Sequence, residues 1–112
     1  MRHSVKPALL ALCIVASISA AQGTQTFTGV LTDDMCPLGD HGRMKMGPND
    51  AECAKACIDA HGASWVLYDG KSAYVLSDQK TPEKLAARKV RVTGRLDDKT
   101  KTIAVESIAL VE

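Results

Sequence analysis

The sequence has few aromatic residues, no excess of charge of one sign and no long hydrophobic run. The last two absences each exclude a class of protein. Lys and Arg number 14 against 13 Asp and Glu, which excludes a strongly basic nucleic-acid binder and a disordered charged tail. No apolar run reaches the roughly 20 residues that cross a bilayer as a helix. Hydrophobic residues nevertheless make up 46% of the 112 residues, so we expect one globular domain with an aliphatic core.

The N-terminal segment has the pattern of an export signal. Residues 1–6 are short and basic, residues 7–18 are apolar, and residues 19–21 are small, as a signal peptidase requires. We therefore expect residues 1–21 to be removed and residues 22–112 to form a single exported domain, periplasmic or secreted. After cleavage no membrane anchor is expected, and the domain is predicted to be a monomer.

Removal of this segment changes the charge and the cysteine count. The segment contains Arg2 and Lys6 but no acidic residue, so its removal lowers the formal charge from +1 to −1. This charge argues against capture of nucleic acid or anionic lipid. The cysteines fall from four to three, and the three that remain are Cys36, Cys53 and Cys57. An odd number in an exported protein indicates a free thiol, an intermolecular bridge or a metal site.

Local patterns predict a mainly β protein with five strands. The predicted order is a strand at 24–32, a loop at 33–48, a helix at 51–61 between caps at Asn49 and Gly62, a hairpin of 64–68 and 73–76 around an Asp-Gly turn, a helical turn at 81–88, a strand through Val90 and Val92 with a bulge at Gly94, and a last strand from Ile103 that kinks near Ser107. Five strands with a short helix before the fourth predict a small OB-like barrel, in which a loop and a helix that carry cysteines are inserted after strand 1.

The chain also resembles a family of small exported bacterial proteins of unknown function. The matching residues are Thr28–Cys36 (TGVLTDDMC), His41, Met44, Cys53, Cys57, Tyr74–Asp78 (YVLSD) and Val90–Gly94 (VRVTG). The resemblance covers nearly all of the mature chain and is most specific from Gly29 to Cys57. It implies export and an OB-like barrel, and it carries no established activity.

The cysteines and their neighbours form the strongest functional pattern. Cys53 and Cys57 lie four residues apart on the predicted helix, so their Cβ atoms are about 5–6 Å apart on one face, which suits two ligands of one metal ion. Cys36 and His41 would complete a four-ligand site for Zn²⁺. A thioether from Met44 or Met46 in place of the imidazole would favour Cu(I). His61 could share an ion with Cys57 but lies about 12 Å along the helix axis from Cys53.

A disulfide is the main alternative to a metal. Cys36 could pair with Cys53 or with Cys57, closing a loop of roughly 17–21 residues that stabilises the fold by about 3 kcal/mol. The protein would then be a stapled interaction module for an unknown protein or small ligand, without a metal.

Two further interpretations have weaker support in the sequence. A thiol enzyme would need His41 as base and Asp33, Asp34 or Asp40 to orient it, yet no hydrolase or redox motif is present. Lys89, Arg91 and Arg95 form a basic stripe on one predicted strand, but a net charge of −1 and four aromatic residues favour a solvated sheet face over an oligonucleotide site. We therefore predict a non-catalytic protein that binds no nucleic acid.

Overall fold

A computed structural model describes residues 23–40 and 47–111, which form a mainly β domain. The elements are β1 (Gln25–Asp33), α1 (Asp50–His61), β2 (Trp65–Tyr68), β3 (Ala73–Leu76), a 3₁₀ helix (Thr81–Leu85), β4 (Lys89–Asp97) and β5 (Thr102–Leu110). Each predicted element is present within a few residues of its predicted bounds.

The five strands close into a barrel in the order β1-β2-β3-β5-β4, with β4 paired back to β1. All neighbouring strands are antiparallel except β3 and β5, which are parallel through Val75–Thr102 and Leu76–Ile103. This order, with a short helix between β3 and β4, confirms the predicted OB-like barrel.

β1 pairs with two strands and ends beside the inserted helix. Its first part pairs with β4 as far as Val30, and from Val30 onward it pairs with β2. Gly29 lies at the exchange of partners, where a Cβ atom would come within 2.2 Å of the carbonyl oxygen of Tyr68. Only glycine allows this close approach of two backbones. After this exchange β1 continues along β2, and its last residue, Asp33, lies at the end of the barrel.

Two hydrophobic clusters fill the domain. The barrel interior contains six fully buried aliphatic side chains, Leu31, Leu67, Leu76, Val90, Val92 and Ile103. A second cluster joins α1 to the end of the barrel and consists of Ala54, Trp65 and Ala86, with Ala51 and Ile58 against it. The single tryptophan therefore lies between helix and barrel, and the interior is aliphatic as the composition predicts.

The ends of α1 follow the predicted capping pattern. The Asn49 side chain accepts a hydrogen bond from the Glu52 backbone N–H at 2.9 Å. Gly62 adopts a left-handed conformation with φ of 64° and donates its N–H to the Cys57 carbonyl.

The helical turn predicted at 81–88 is shorter in the structure. The 3₁₀ helix ends at Leu85, and Ala87 has a φ of 61°. The reason is competition for backbone groups, because the Ala87 N–H donates to the Leu31 carbonyl and the Leu31 N–H donates to the Arg88 carbonyl. These bonds join the segment to β1 and stop the helix.

The predicted bulge and kink are one feature. The register of β4 against β5 shifts between Thr93 and Gly94, which face Ser107 and Val105 and leave Glu106 as the extra residue. A Cβ atom at Gly94 would lie 2.2 Å from the Ala104 carbonyl oxygen, so the shift requires glycine.

Within the described part of the chain, no helix combines the length and the hydrophobicity needed to span a membrane.

Candidate functional site

Hydrogen bonds to the end of β1 hold the loop that carries Cys36. Asp33 accepts at Oδ1 from the backbone N–H groups of Met35, at 3.0 Å, and Cys36, at 3.1 Å. The Cys36 carbonyl accepts from the Thr32 hydroxyl at 2.8 Å and from the Gly39 N–H at 2.9 Å. This turn places Cys36 in the interior, where 6% of the residue is exposed.

The other two thiols lie on the buried face of α1. Cys53 and Cys57 are 1% and 0% exposed, and Ala54 between them is also fully buried. Packing of α1 against Trp65 holds this face on the barrel end. The four-residue spacing places both thiols on one face of α1, as predicted, and the packing of the helix turns that face inward.

The three cysteines and Asp33 form one buried group, which we call the thiol cluster. Burial, the Asp33 carboxylate, and then Cys53 and Asp40 raise the pKa of Cys36. Burial, Asp33, Cys53 and Cys36, together with a hydrogen bond to Cys53, raise the pKa of Cys57 to about 11. Cys53 is thus an electrostatic neighbour of both other thiols. The structure brings together three of the four predicted metal ligands.

The raised pKa of Cys57 predicts a loss of stability at alkaline pH. Between its ordinary value of 9.0 and about 11, the thiol loses its proton in the unfolded chain and keeps it in the folded chain. The folded state then binds more protons, so the free energy of unfolding falls as pH rises through this range. Urea denaturation of the reduced protein at about pH 8.5 and about pH 10.5 measures the change.

The Cys57→Ala variant is the control for other groups that titrate in the same range. Its free energy of unfolding should fall less steeply between the two pH values than that of the wild type. Equal slopes for the two proteins would show that Cys57 does not retain its proton in the folded state.

Asp33 is the member of the thiol cluster that sequence reasoning did not assign to a metal site. The Asp33-Asp34 pair is typical of turns, and Asp33 does accept local hydrogen bonds from Met35 and Cys36. Asp34 instead accepts from the N–H of Ser64, thirty residues away, at 3.1 Å. Asp33, however, is 0% exposed and lies close enough to two thiols to raise their pKa. The alternation of side chains along β1 could have predicted this burial, because Asp33 lies two residues after Leu31 and therefore on the same, inward-facing side of the strand.

The remaining predicted site residues lie elsewhere. His41, Met44 and Met46 lie outside the described residues. His61 is exposed at the end of α1, one turn beyond Cys57. Lys89, Arg91 and Arg95 are exposed on β4, where they alternate with buried residues as the pattern predicts.

The thiol cluster contains no disulfide in this structure and has no preformed ligand geometry. Among the described residues, no disulfide joins Cys36, Cys53 or Cys57. Across residues 23–40 and 47–111, no group of three or more His, Cys, Asp or Glu side chains is arranged to hold a metal ion.

Comparison with family models, with curated proteins and with solved structures finds no match for this chain. The resemblance to small exported bacterial proteins therefore stays a prediction. The thiol cluster is the main functional feature of the described residues.

Proposed function

We propose that this protein is exported and binds one soft metal ion, Cu(I) or Zn²⁺, through Cys36, Cys53 and Cys57. His41 is the predicted fourth ligand for zinc. The metal has a structural or carrier role, and the protein is not an enzyme. The observation that carries the proposal is the meeting of three cysteines, from a loop and from a helix, in one buried cluster.

The number and the spacing of the thiols favour a metal over a disulfide. A disulfide joins two sulfur atoms and would leave the third buried without a function. Cys53 and Cys57 are also poorly placed for a bridge with each other, because helical residues four apart have Cβ atoms about 5–6 Å apart and a disulfide needs about 3.8 Å. Three sulfur donors select soft ions.

Binding requires a local change in the thiol cluster. The three thiols must lose protons and move to surround an ion, because the described side chains are not arranged around one. The Asp33 carboxylate and neighbouring sulfurs oppose the loss of protons. A cation reverses that electrostatic effect, so affinity should increase with pH.

The surroundings of the thiols support a non-catalytic role. Reactive cysteines lie in electropositive, partly exposed sites that lower their pKa. Here Cys36 and Cys57 are buried near Asp33, and their pKa values are raised. Such thiols are protonated at neutral pH and are weak nucleophiles.

A disulfide-stapled binding module is the second candidate function. Cys36 and Cys53 are both buried, and Cys53 contributes to the raised pKa of Cys36. A bridge between them would join the loop to α1 and leave Cys57 as a buried thiol. In that case the partner is a protein or small ligand bound elsewhere on the domain.

The mass of the protein recovered from its export compartment tests both functions. One sample is weighed under native conditions. A second is alkylated under denaturing, non-reducing conditions with a chelator and then weighed. We expect three alkyl additions on the mature chain and a native mass that is higher by one metal ion.

Other masses would contradict the metal proposal. One alkyl addition without extra native mass would establish one disulfide and support the stapled module. Three additions with no bound metal, even after the reduced protein is incubated with Cu(I) and with Zn²⁺, would reject a metal role.

A further inference from the structure

A surface concavity opens beside the thiol cluster. It has a volume of about 370 Å³ and is lined by Met35, Cys36, Pro37, Leu38 and Asp40. Met35 and Leu38 are 40% and 62% exposed, which makes them two of the exposed large hydrophobic residues of the described chain. Cys36 therefore belongs both to the buried cluster and to a cavity that faces solvent.

We propose that Cu(I) enters the thiol cluster through this concavity and that the thioether of Met35 is the first ligand it meets. The inference rests on the proposed metal-binding function and assigns it an ion and a route. Met35 is then a positioning residue for metal transfer and not a permanent ligand.

The chemistry of the lining fits a soft monovalent cation. A thioether is a soft, neutral donor with no proton to lose, and soft sulfur ligands select Cu(I), whereas hard ions prefer oxygen. Pro37 and Leu38 supply apolar walls around it.

Backbone contacts place Met35 next to the cluster. Its N–H donates to Asp33 Oδ1, the same oxygen that accepts from the Cys36 N–H. One buried carboxylate thus fixes two consecutive sulfur-bearing residues that line one cavity. An ion bound at Met35 can pass to Cys36 without leaving the concavity.

The exposure of Met35 predicts a kinetic effect. The bound ion lies among thiols that are at most 6% exposed, whereas Met35 is 40% exposed. Loss of the thioether should therefore slow entry and exit equally and leave the equilibrium affinity unchanged. A tenfold change in rate corresponds to about 1.4 kcal/mol in activation free energy.

The test is transfer of Cu(I) from a chromophoric chelator complex to the purified, reduced protein, followed by stopped-flow absorbance. The Met35→Leu variant keeps an apolar side chain and removes the sulfur. We expect about tenfold slower transfer in both directions, with a dissociation constant within about twofold of wild type. Adding Leu38→Met to that variant restores a thioether to the concavity and should recover most of the rate. Leu110→Ala, which removes an exposed apolar side chain of β5 that is not among the residues lining the concavity, is the matched control and should transfer at the wild-type rate.

Each other result overturns a defined step. An unchanged rate in Met35→Leu, with normal binding, rejects the entry route and leaves the metal function standing. Equal slowing in Leu110→Ala shows that loss of any exposed apolar side chain slows transfer, and it rejects the role of the thioether. A dissociation constant that rises tenfold makes Met35 an equilibrium ligand, which also rejects the proposal. If folded wild-type protein takes up Zn²⁺ but no Cu(I), the copper route is rejected and the metal function stands, and if it takes up neither ion, the proposed function itself fails.

Discussion

The Cys53→Ser variant is expected to lose stoichiometric binding of Cu(I) or Zn²⁺. The affinity should fall by more than about 100-fold, because even the loss of a residue that only orients a ligand costs roughly 10–100-fold. Cys53 contributes to the raised pKa of both Cys36 and Cys57, so it is a neighbour of both other thiols. Its removal takes away the sulfur that the two have in common as a neighbour. Competition with a chromophoric chelator measures the affinity, and metal analysis after gel filtration measures the stoichiometry.

Two controls separate loss of a ligand from loss of the fold. Cys53→Ala removes the sulfur without burying a hydroxyl group, and it should lose the metal in the same way. Ala56→Ser places a hydroxyl on the same helix at a half-buried position, and it should keep one equivalent of metal. Retention of one tightly bound ion by both Cys53 variants, with normal helix content, would remove Cys53 from the ligand set.

The fold was largely predictable because its signals are local. Asn49 and Gly62 bound α1 through capping contacts that involve only nearby residues. The Asp-Gly turn between β2 and β3 has Asp69 accepting from the N–H groups of Lys71 and Ser72, both at 2.8 Å. Gly94 marks the bulge because any side chain there would meet the backbone of β5. Such preferences act within a few residues or across one strand pair.

Features that depend on distant segments were less predictable. The 3₁₀ helix is shortened because Ala87 bonds to Leu31, more than fifty residues earlier in the chain. The burial of Asp33 has the same origin, since α1 must fold over the end of β1 before that carboxylate meets Cys57. The spacing of Cys53 and Cys57 predicted their shared face. Only the packing of α1 on Trp65 and Ala86 sets what that face covers.

The Trp65→Ala variant is expected to lose about 3–5 kcal/mol of folding free energy. Trp65 is 1% exposed and is the largest side chain between α1 and the barrel. Its backbone is also fixed, because the Gln79 side chain accepts from its N–H at 2.6 Å and donates to its carbonyl at 3.0 Å. The loss is large against the roughly 5–15 kcal/mol that stabilises a typical domain. Urea denaturation of the reduced, metal-free protein measures it.

The substitution also tests whether the thiol cluster depends on the docking of α1. Alkylation of Cys53 and Cys57 in native buffer should be much faster in Trp65→Ala than in wild type, and Trp65→Phe, which keeps most of the ring, should show a smaller change. If Trp65→Ala is destabilised while both thiols stay protected, then α1 is held on the barrel by contacts other than Trp65.

Metal binding should partly reverse the effect of Trp65→Ala. An ion that binds only the folded state adds about 2.7 kcal/mol of stability at a free concentration of 100 times its dissociation constant. That increment is comparable to the expected loss, so addition of Cu(I) or Zn²⁺ to the reduced variant should restore most of its resistance to urea. No restoration at that concentration would mean that the ion binds the unfolded chain as well as the folded one, and so does not join the loop of Cys36 to α1. The ligand set would then have to lie on one of these two segments alone.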